Sequence, residues 1–189
     1  MTLVGLSGKA RSGKDSVADT CAALYGWRKM KLADPLKKMC REMFGLTLEH
    51  TDGHWKEDPV GTTTPRQLMI SVGQLGRSVD PNFWIKRLQA ELLQTPQAQM
   101  QTYVIADVRF KNEADWIKNH NGIMVRLERA IELRGGDIVD TSEMELDNYE
   151  GFDLKIGESW NVDASDLPRV AARIKELVDA KAQAPFFTR

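Results

Sequence analysis

The residues best suited to chemistry lie near the amino terminus, where Gly8, Gly13 and Lys14 follow an apolar run at residues 3–6. Their spacing fits the G-x-x-x-x-G-K pattern of a phosphate-binding P-loop, which needs a strand before it and a helix after it. The glycines let the backbone form a concave nest whose N–H groups point at anionic oxygens. Lys14 would then contact the β- and γ-phosphates. We therefore predict nucleotide binding by Gly8, Lys9, Ala10, Arg11, Ser12, Gly13, Lys14, Asp15 and Ser16.

One position departs from the common form of this loop, because Asp15 stands where Ser or Thr usually binds magnesium, and Ser16 comes after it. A carboxylate beside a polyphosphate is repulsive unless a cation lies between them. We therefore expect an ATP affinity that depends steeply on Mg²⁺. A further carboxylate, Asp107, ends the apolar run at residues 103–106, which is the usual position of the acid that holds the magnesium shell. The sequence predicts Mg²⁺ near Asp15, Ser16 and Asp107.

Alternating strands and helices predict the elements that position these residues. Besides the strand, loop and helix at about 2–25, strands are expected near 28–32, 103–106, 122–127 and 153–156. Helices are expected near 35–44, 65–78, 82–94, 111–120 and 165–180. This order favours an α/β fold with a parallel sheet covered on both faces, in which ligands bind at the carboxyl ends of the strands.

Composition narrows the function classes. The net charge of −1 gives no footprint for a nucleic acid polymer, so a small nucleotide ligand is favoured. Cys21 and Cys40 fall in predicted helices and are expected to be buried, reduced thiols, as in a cytoplasmic protein. No apolar run approaches the length of a membrane span. We expect no membrane partner, and the oligomeric state is open, with a homodimer among the alternatives.

The predicted helix at 65–78 carries a second candidate site. Arg66, Gly73 and Arg77 fall within about 20° of one line along it. Apolar side chains gather on the opposite side, at Leu68, Val72, Leu75 and Val79. We expect the apolar side to be packed and the arginine side to bind an acceptor phosphate through forked hydrogen bonds, with Gly73 admitting a flat ligand. The alternative is a solvated face whose arginines bind nothing.

Four further positions have two interpretations each. Trp84, at the start of a helix, either lies in the core or stacks on a base. Arg126 and Arg129, near a charged loop, are either solvated or close over the γ-phosphate of ATP. Lys37 would add positive charge on the acceptor side. Arg109, two residues after Asp107, would point into the same crevice at the strand ends.

The motifs formed by these residues together resemble those of the phage deoxynucleoside monophosphate kinases. The segment at 8–16 is similar to that family's G-x-x-R-S-G-K-D-[ST] loop, and the segment at 64–77 is similar to its T-P-R-x-L-(x)n-G helix. Its D-x-x-x-W and D-x-R-x-x-x-E segments resemble the stretches at 80–84 and 107–113. The resemblance covers nearly the whole chain. It departs from the family where His-x-Ser-Glu is usual, because this chain has Asp140-Thr141-Ser142-Glu143.

The resemblance implies a P-loop NTPase fold, a three-layer kinase of the nucleoside monophosphate kinase type. It implies transfer of the γ-phosphoryl group of ATP to a (deoxy)nucleoside monophosphate, with Mg²⁺, for DNA precursor synthesis. One domain would span 1–189, with 46–94 as an acceptor-binding insertion and 129–150 as a lid-like segment. Catalytic roles would fall to Lys14, Arg11, Asp107 and Arg109. The acceptor would contact Lys37, Arg66, Gly73, Arg77, Trp84, Asp107, Arg109 and Glu113.

Two other functions are open. Animal-type phosphomevalonate kinases resemble this chain in the same Gly-Lys-Asp loop and in the stretch from Ser142 to Asp153. Both families transfer a phosphoryl group to a phosphate monoester, so they differ in the acceptor and not in the mechanism. A nucleotide-binding ATPase or regulator without an acceptor is the alternative of a different class.

Overall fold

The computed structural model describes residues 1–94, 100–128, 144–157 and 165–183. Within them, the amino-terminal half contains β1 (Thr2–Gly8), α1 (Lys14–Tyr25), β2 (Arg28–Met30), α2 (Ala33–Phe44), α3 (Leu48–Thr51), a 3₁₀ helix (Trp55–Glu57), α4 (Pro65–Val79) and α5 (Phe83–Gln94). After these come β3 (Thr102–Ile105), α6 (Lys111–Asn119), β4 (Ile123–Leu127), β5 (Leu154–Ile156) and α7 (Leu167–Gln183). The predicted elements are therefore present, with ends shifted by a few residues at most.

The chain divides into two compact units. The first contains Met1–Met30 and Gln97–Arg189, and the second contains Lys31–Pro96. The first unit holds all five strands of the sheet, whereas the second is helical in the part that the structure describes. The predicted insertion at 46–94 falls inside the second unit.

The first unit is built on a parallel sheet with the strand order β2-β3-β1-β4-β5. β1 is central, with Gly5 opposite Ile105 of β3 and Ser7 opposite Arg126 of β4. A parallel pair needs a crossover connection, which explains why helices separate the strands along the chain. The prediction of a parallel α/β sheet is confirmed.

Helices cover both faces of this sheet. Side chains of α1 and α7 form one apolar core with alternate residues of β1, β3 and β4. The stripe on α7 is confirmed, because Val170, Ala171, Ile174 and Val178 are buried there. α6 packs on the opposite face, where Ile117 comes so close to Gly5 that a β-carbon there would lie 2.6 Å from its Cδ1. Because all the strand pairs are parallel, the carboxyl ends of the strands meet at one edge of the sheet.

In the second unit, α4 begins at a capping box. The Thr64 side chain accepts a hydrogen bond from Gln67 N at 3.3 Å, and Pro65 occupies the first turn, where its missing N–H has no partner to lose. α4 packs against α2 and α5.

The predicted packing face of α4 was wrong. Leu75 and Val79 are 64% and 75% exposed, whereas Gly73 and Gly76 are buried. The reason is steric, because the absence of a side chain at Gly76 lets the Trp84 ring lie against the α4 backbone. A β-carbon at Gly76 would lie only 2.8 Å from Trp84 Cζ2. The glycine side of α4 is therefore the packed side.

Two further predictions from the sequence concern the cysteines and membrane-spanning helices. Cys21 and Cys40 are buried free thiols, as expected, and burial raises the pKa of Cys21 to about 12, which keeps it unreactive. Among the described residues, no helix has the length and apolar character to cross a membrane.

Candidate active site

The P-loop connects β1 to α1 in the first unit. At Gly8, where φ is +150°, a β-carbon would lie 2.5 Å from Leu127 O and 2.6 Å from Ser12 Oγ. Gly13 adopts a left-handed conformation with φ of 91° as the N-cap of α1 and provides no side-chain cap. Only glycine fits both positions without strain or collision. The loop therefore has the backbone geometry of an anion nest at a helix N-terminus.

Lys14 lies across this loop. Its Nζ donates hydrogen bonds to Gly8 O at 2.6 Å and Lys9 O at 2.7 Å, and it lies 3.4 Å from Ser12 Oγ. The ammonium group therefore already lies at the loop that would hold the phosphates. A bound phosphate oxygen would replace some of these loop oxygens as its acceptor. Arg11 is exposed and has a positive φ of 59°, which non-glycine residues adopt rarely and often at functional loops.

The Asp15 side chain does not match the role predicted for it. Lys29 Nζ lies 2.8 Å from Asp15 Oδ1 and equally close to Asp19 Oδ1, so an ammonium already neutralises the carboxylate. The Oδ1 atom of Asp15, predicted to lie near Mg²⁺, is paired with a lysine. Ser16, which is exposed in the first turn of α1, and Asp107 supply the hard oxygen atoms that Mg²⁺ prefers.

Asp107 lies beside the start of the loop. The chain after β3 stays bonded to β1, because Val108 N donates to Leu6 O at 3.1 Å. This bond brings Asp107 alongside Ser7, directly before the loop begins. Asp107 is half-buried, so its carboxylate has limited access to solvent.

Glu113, which the resemblance assigned to the acceptor, has a structural role at the start of α6. Glu113 is 6% exposed, and its Oε2 accepts hydrogen bonds from Arg109 N at 2.8 Å and Phe110 N at 3.0 Å. It caps the N-terminus of α6 and thereby fixes the backbone at Arg109 and Phe110, which follow the turn at Asp107. Arg109 itself is half-buried.

The expected contact of Arg126 with ATP was also wrong. Arg126 is 5% exposed in β4, with Nη1 3.1 Å from Ser7 Oγ and Nη2 paired with Asp147. Its guanidinium also lies over the Phe152 ring at 5.9 Å. Because Arg126 is buried and bonded to these partners, it stabilises the end of β1 that leads into the P-loop. Arg129 and the predicted lid-like segment up to residue 143 lie outside the described residues.

In the second unit, positive charges gather around the 3₁₀ helix. Lys37 Nζ lies 2.5 Å from Asp52 Oδ1, and Arg66 pairs with Glu57. We call Lys31, Lys37, Lys56 and Arg66 the cationic cluster. The sequence predicted Lys37 and Arg66 but missed Lys31 and Lys56. Lys56 lies in a stretch without periodicity, so no spacing signal could have identified it.

The pKa of Lys56 reflects both the burial of this lysine and the charges of the cationic cluster. Burial lowers its pKa, and repulsion from Lys37, Arg66 and Lys31 lowers it further, against the attraction of Asp52. The pKa of Asp52 is lowered, because its hydrogen bonds and Coulomb attraction to Lys37, with a hydrogen bond from Thr51, outweigh the effect of burial. Burial and repulsion from these three cations therefore outweigh the attraction of Asp52 at Lys56. An anion bound here would relieve that repulsion.

The predicted arginine face of α4, formed by Arg66, Gly73 and Arg77, is only partly exposed. Arg66 is exposed, and Arg77 is half-buried with its guanidinium over Gly73, where Nη2 would be 3.4 Å from a β-carbon. Gly73, which we expected to admit a flat ligand, is buried beside Arg77 and Trp84. Arg77 covers one side of this glycine, and Trp84 Nε1 donates to its carbonyl at 3.0 Å.

The interpretation of Trp84 as a base-stacking residue was wrong. The side chain is 4% exposed, because its ring lies against Gly76 and meets the Phe83 ring edge-on, with centroids 4.8 Å apart. No face of the indole is open to a base. The other interpretation, a core residue of the second unit, is confirmed.

A central parallel strand leading into a glycine nest and a helix N-terminus, with a carboxylate at the end of the next strand, defines a P-loop phosphotransferase. Solved structures support this fold class. Shikimate kinase from Acinetobacter baumannii, in complex with shikimate, aligns over 98% of this chain and 96% of its own, with a TM-score of 0.51 and 13% identity. Dephospho-CoA kinase from Campylobacter jejuni aligns over 96% and 98%, with a TM-score of 0.50 and 14% identity.

Sequence comparison identifies the family more narrowly. The phosphomevalonate kinase family model matches residues 6–122, which include the P-loop and the whole second unit. A protein of Acanthamoeba polyphaga mimivirus named "putative deoxynucleotide monophosphate kinase" is 33% identical over 175 residues, with 82% of this chain and 86% of that protein covered. The chain therefore belongs to the phosphomevalonate kinase family of P-loop kinases and is related to the mimivirus protein.

Proposed function

We propose that this kinase transfers the γ-phosphoryl group of ATP to a nucleoside monophosphate and thereby forms a nucleoside diphosphate. The mimivirus relative supports a nucleotide acceptor, because it is similar over most of both chains and its name specifies a deoxynucleotide monophosphate. The observation that supports an anionic acceptor is the cationic cluster, in which burial and then repulsion from Lys37, Arg66 and Lys31 lower the pKa of Lys56. A dianionic phosphate monoester is a ligand that neutralises such a cluster.

In this proposal the donor binds at the P-loop. The α1 N-terminus and the loop N–H groups hold the phosphates, and Lys14 neutralises charge on the transferred group. Arg11 and Arg109 supply further positive charge. Mg²⁺ would be held by Ser16 and Asp107, and when bound it would neutralise charge on the β- and γ-phosphates.

The acceptor phosphate is assigned to Lys37, Lys56 and Arg66, and Arg77, about three turns further along α4, is left outside this cluster. A phosphate monoester is already a nucleophile at neutral pH, so no general base is required. Catalysis then consists of alignment of the two phosphates and neutralisation of their charge. The base is assigned no residue, because Trp84 is buried.

Phosphomevalonate is the second candidate acceptor, and the family-model match over residues 6–122 favours it. It presents the same phosphate monoester to the same cationic cluster. The two acceptors differ in the group attached to that phosphate, a nucleoside in one case and a small aliphatic acid in the other. Kinetics with both compounds therefore decide the acceptor.

The deciding experiment is a coupled assay of ADP formation with a panel of ribonucleoside and deoxyribonucleoside monophosphates and with phosphomevalonate. The proposal expects ADP formation only with an acceptor present, and a higher kcat/KM with at least one nucleotide than with phosphomevalonate. A preference for phosphomevalonate would replace the acceptor and leave the donor site unchanged. Slow ADP formation at the same rate without any acceptor would instead identify an ATPase.

A further inference from the structure

Lys29 forms a bridge between β2 and the first turns of α1. Its Nζ lies 2.8 Å from Asp15 Oδ1 and 2.8 Å from Asp19 Oδ1, and its side chain is 24% exposed. Asp15 and Asp19 are four residues apart, so they lie on the same side of the helix, where like charges repel. One ammonium therefore neutralises two carboxylates at the start of the helix that follows the P-loop.

The position of Asp15 makes this bridge relevant to ligand binding. Asp15 directly follows Lys14, in the first turn of α1, where an acidic residue gains from the helix dipole. The same helix end must accept a polyphosphate, which carries the same sign of charge. An Asp15 carboxylate without a nearby cation would therefore oppose the ligand that the loop binds.

We propose that Lys29 is a positioning residue for nucleotide binding, which holds the Asp15 carboxylate on the β2 side of α1 and neutralises it so that the P-loop accepts a polyphosphate. This inference rests on the donor half of the proposed function, ATP at the P-loop, and is independent of the acceptor. Lys29 thus provides the positive charge beside Asp15 that we expected Mg²⁺ to provide from the sequence alone.

The electrostatics of Lys29 agree with this role. Burial acts to lower its pKa, but the hydrogen bonds and charges of Asp15 and Asp19 outweigh burial, so its pKa is raised above the ordinary lysine value. A raised pKa keeps the ammonium charged at and above neutral pH. The neutralising charge is therefore present wherever the enzyme would bind ATP.

Two substitutions separate this role from magnesium ligation. Lys29→Met removes the charge between the carboxylates and should raise the Kd for ATP roughly tenfold, as expected for unit charges about 8–10 Å apart at an effective dielectric constant of about 20–40. Asp15→Asn should leave the Kd within about threefold of wild type, because it removes the repulsive charge itself. The double variant Asp15→Asn/Lys29→Met should recover most of the loss.

The test is equilibrium binding of ATP to the intact protein without acceptor, measured with Mg²⁺ and with a chelator. Lys118→Met is the matched control, because Lys118 pairs with Asp153 at 2.6 Å with a similar exposure of 29% but lies on α6. This control should bind ATP as wild type does. Thermal unfolding of each variant without nucleotide checks that the fold is intact.

Three results would overturn the inference. They are wild-type ATP affinity in Lys29→Met, a double variant that binds no better than Lys29→Met, and an Asp15→Asn variant that loses Mg²⁺-dependent binding. If Lys29→Met does not fold, Lys29→Gln and Asp15→Asn/Lys29→Gln decide, since the single variant should bind ATP more weakly than the double variant. Failure of the wild-type protein to bind ATP would refute the donor assignment before any substitution is made.

Discussion

Lys56→Met should weaken acceptor binding while leaving ATP binding unchanged. The ammonium is partly buried, and Lys37, Arg66 and Lys31 repel it. A charge-assisted hydrogen bond to a phosphate contributes about 1.5–3 kcal/mol. Lys56 is only half-buried, so solvent screening favours the lower end of that range. The KM for the acceptor should therefore rise about tenfold, because about 1.4 kcal/mol corresponds to one factor of ten.

The same lysine gives acceptor binding a distinctive pH dependence. Because the pKa of Lys56 is lowered, the free enzyme loses this proton at a lower pH than an ordinary lysine would. A bound phosphate stabilises the charged form, so binding takes up a proton in the alkaline range, and acceptor affinity falls as pH rises through the pKa of the free enzyme.

Initial-rate kinetics from pH 7 to about 10 at fixed ionic strength measure this effect. Lys56→Arg serves as the matched variant, because its guanidinium stays protonated and should remove the alkaline loss. Parallel pH profiles of wild type and Lys56→Arg, or an unchanged acceptor KM in Lys56→Met, would refute the assignment of the acceptor phosphate to the cationic cluster.

Three further variants test individual assignments. Lys14→Ala should reduce transfer by roughly 10²–10³-fold or more while circular dichroism and thermal unfolding stay unchanged, and retained turnover would remove Lys14 from the mechanism. Trp84→Phe should lower the free energy of unfolding by about 1–2 kcal/mol, because Gly73 O loses its indole donor, and an altered preference between purine and pyrimidine acceptors would restore the stacking role. Arg126→Met should destabilise the fold by about 1–2 kcal/mol, because Ser7 and Asp147 lose a bonding partner and solvent screens the exposed Asp147 carboxylate. The ATP KM should stay within about twofold of wild type, and a much larger KM would return Arg126 to the ATP site.

The backbone of the P-loop was the part of the candidate site that sequence could predict. A P-loop depends on backbone conformation and local spacing, so Gly8, Gly13 and Lys14 encode it within seven residues. The parallel sheet could be predicted because apolar strands alternate with amphipathic helices, and the stripe on α7 has the period of a helix. Each of these signals is contained in a short stretch of chain.

The errors concern contacts between distant segments. The burial of the α4 glycine side depends on Trp84, which packs against the Gly76 backbone, whereas periodicity assigns the interior to large apolar side chains. The neutralisation of Asp15 by Lys29 depends on where β2 lies beside α1, fourteen positions further along the chain. Neither contact has a local sequence signature.

Two errors could have been avoided from local patterns. Glu113 stands three residues into a predicted helix that starts at 111, a position at which glutamate often caps the helix N-terminus. Arg126 falls inside a predicted strand with apolar neighbours on both sides, which indicates a buried position with a dedicated partner. In both cases we expected a charged side chain to contact a ligand, whereas this side chain bonds to other groups of the protein.

The most direct measurement is phosphorus NMR of a mixture of the enzyme, ATP, Mg²⁺ and a deoxynucleoside monophosphate. Transfer between a donor at the P-loop and a phosphate monoester predicts the resonances of a new nucleoside diphosphate, with one ADP formed for each, and neither product with Lys14→Ala. Release of inorganic phosphate with the monophosphate unchanged would contradict the proposed reaction.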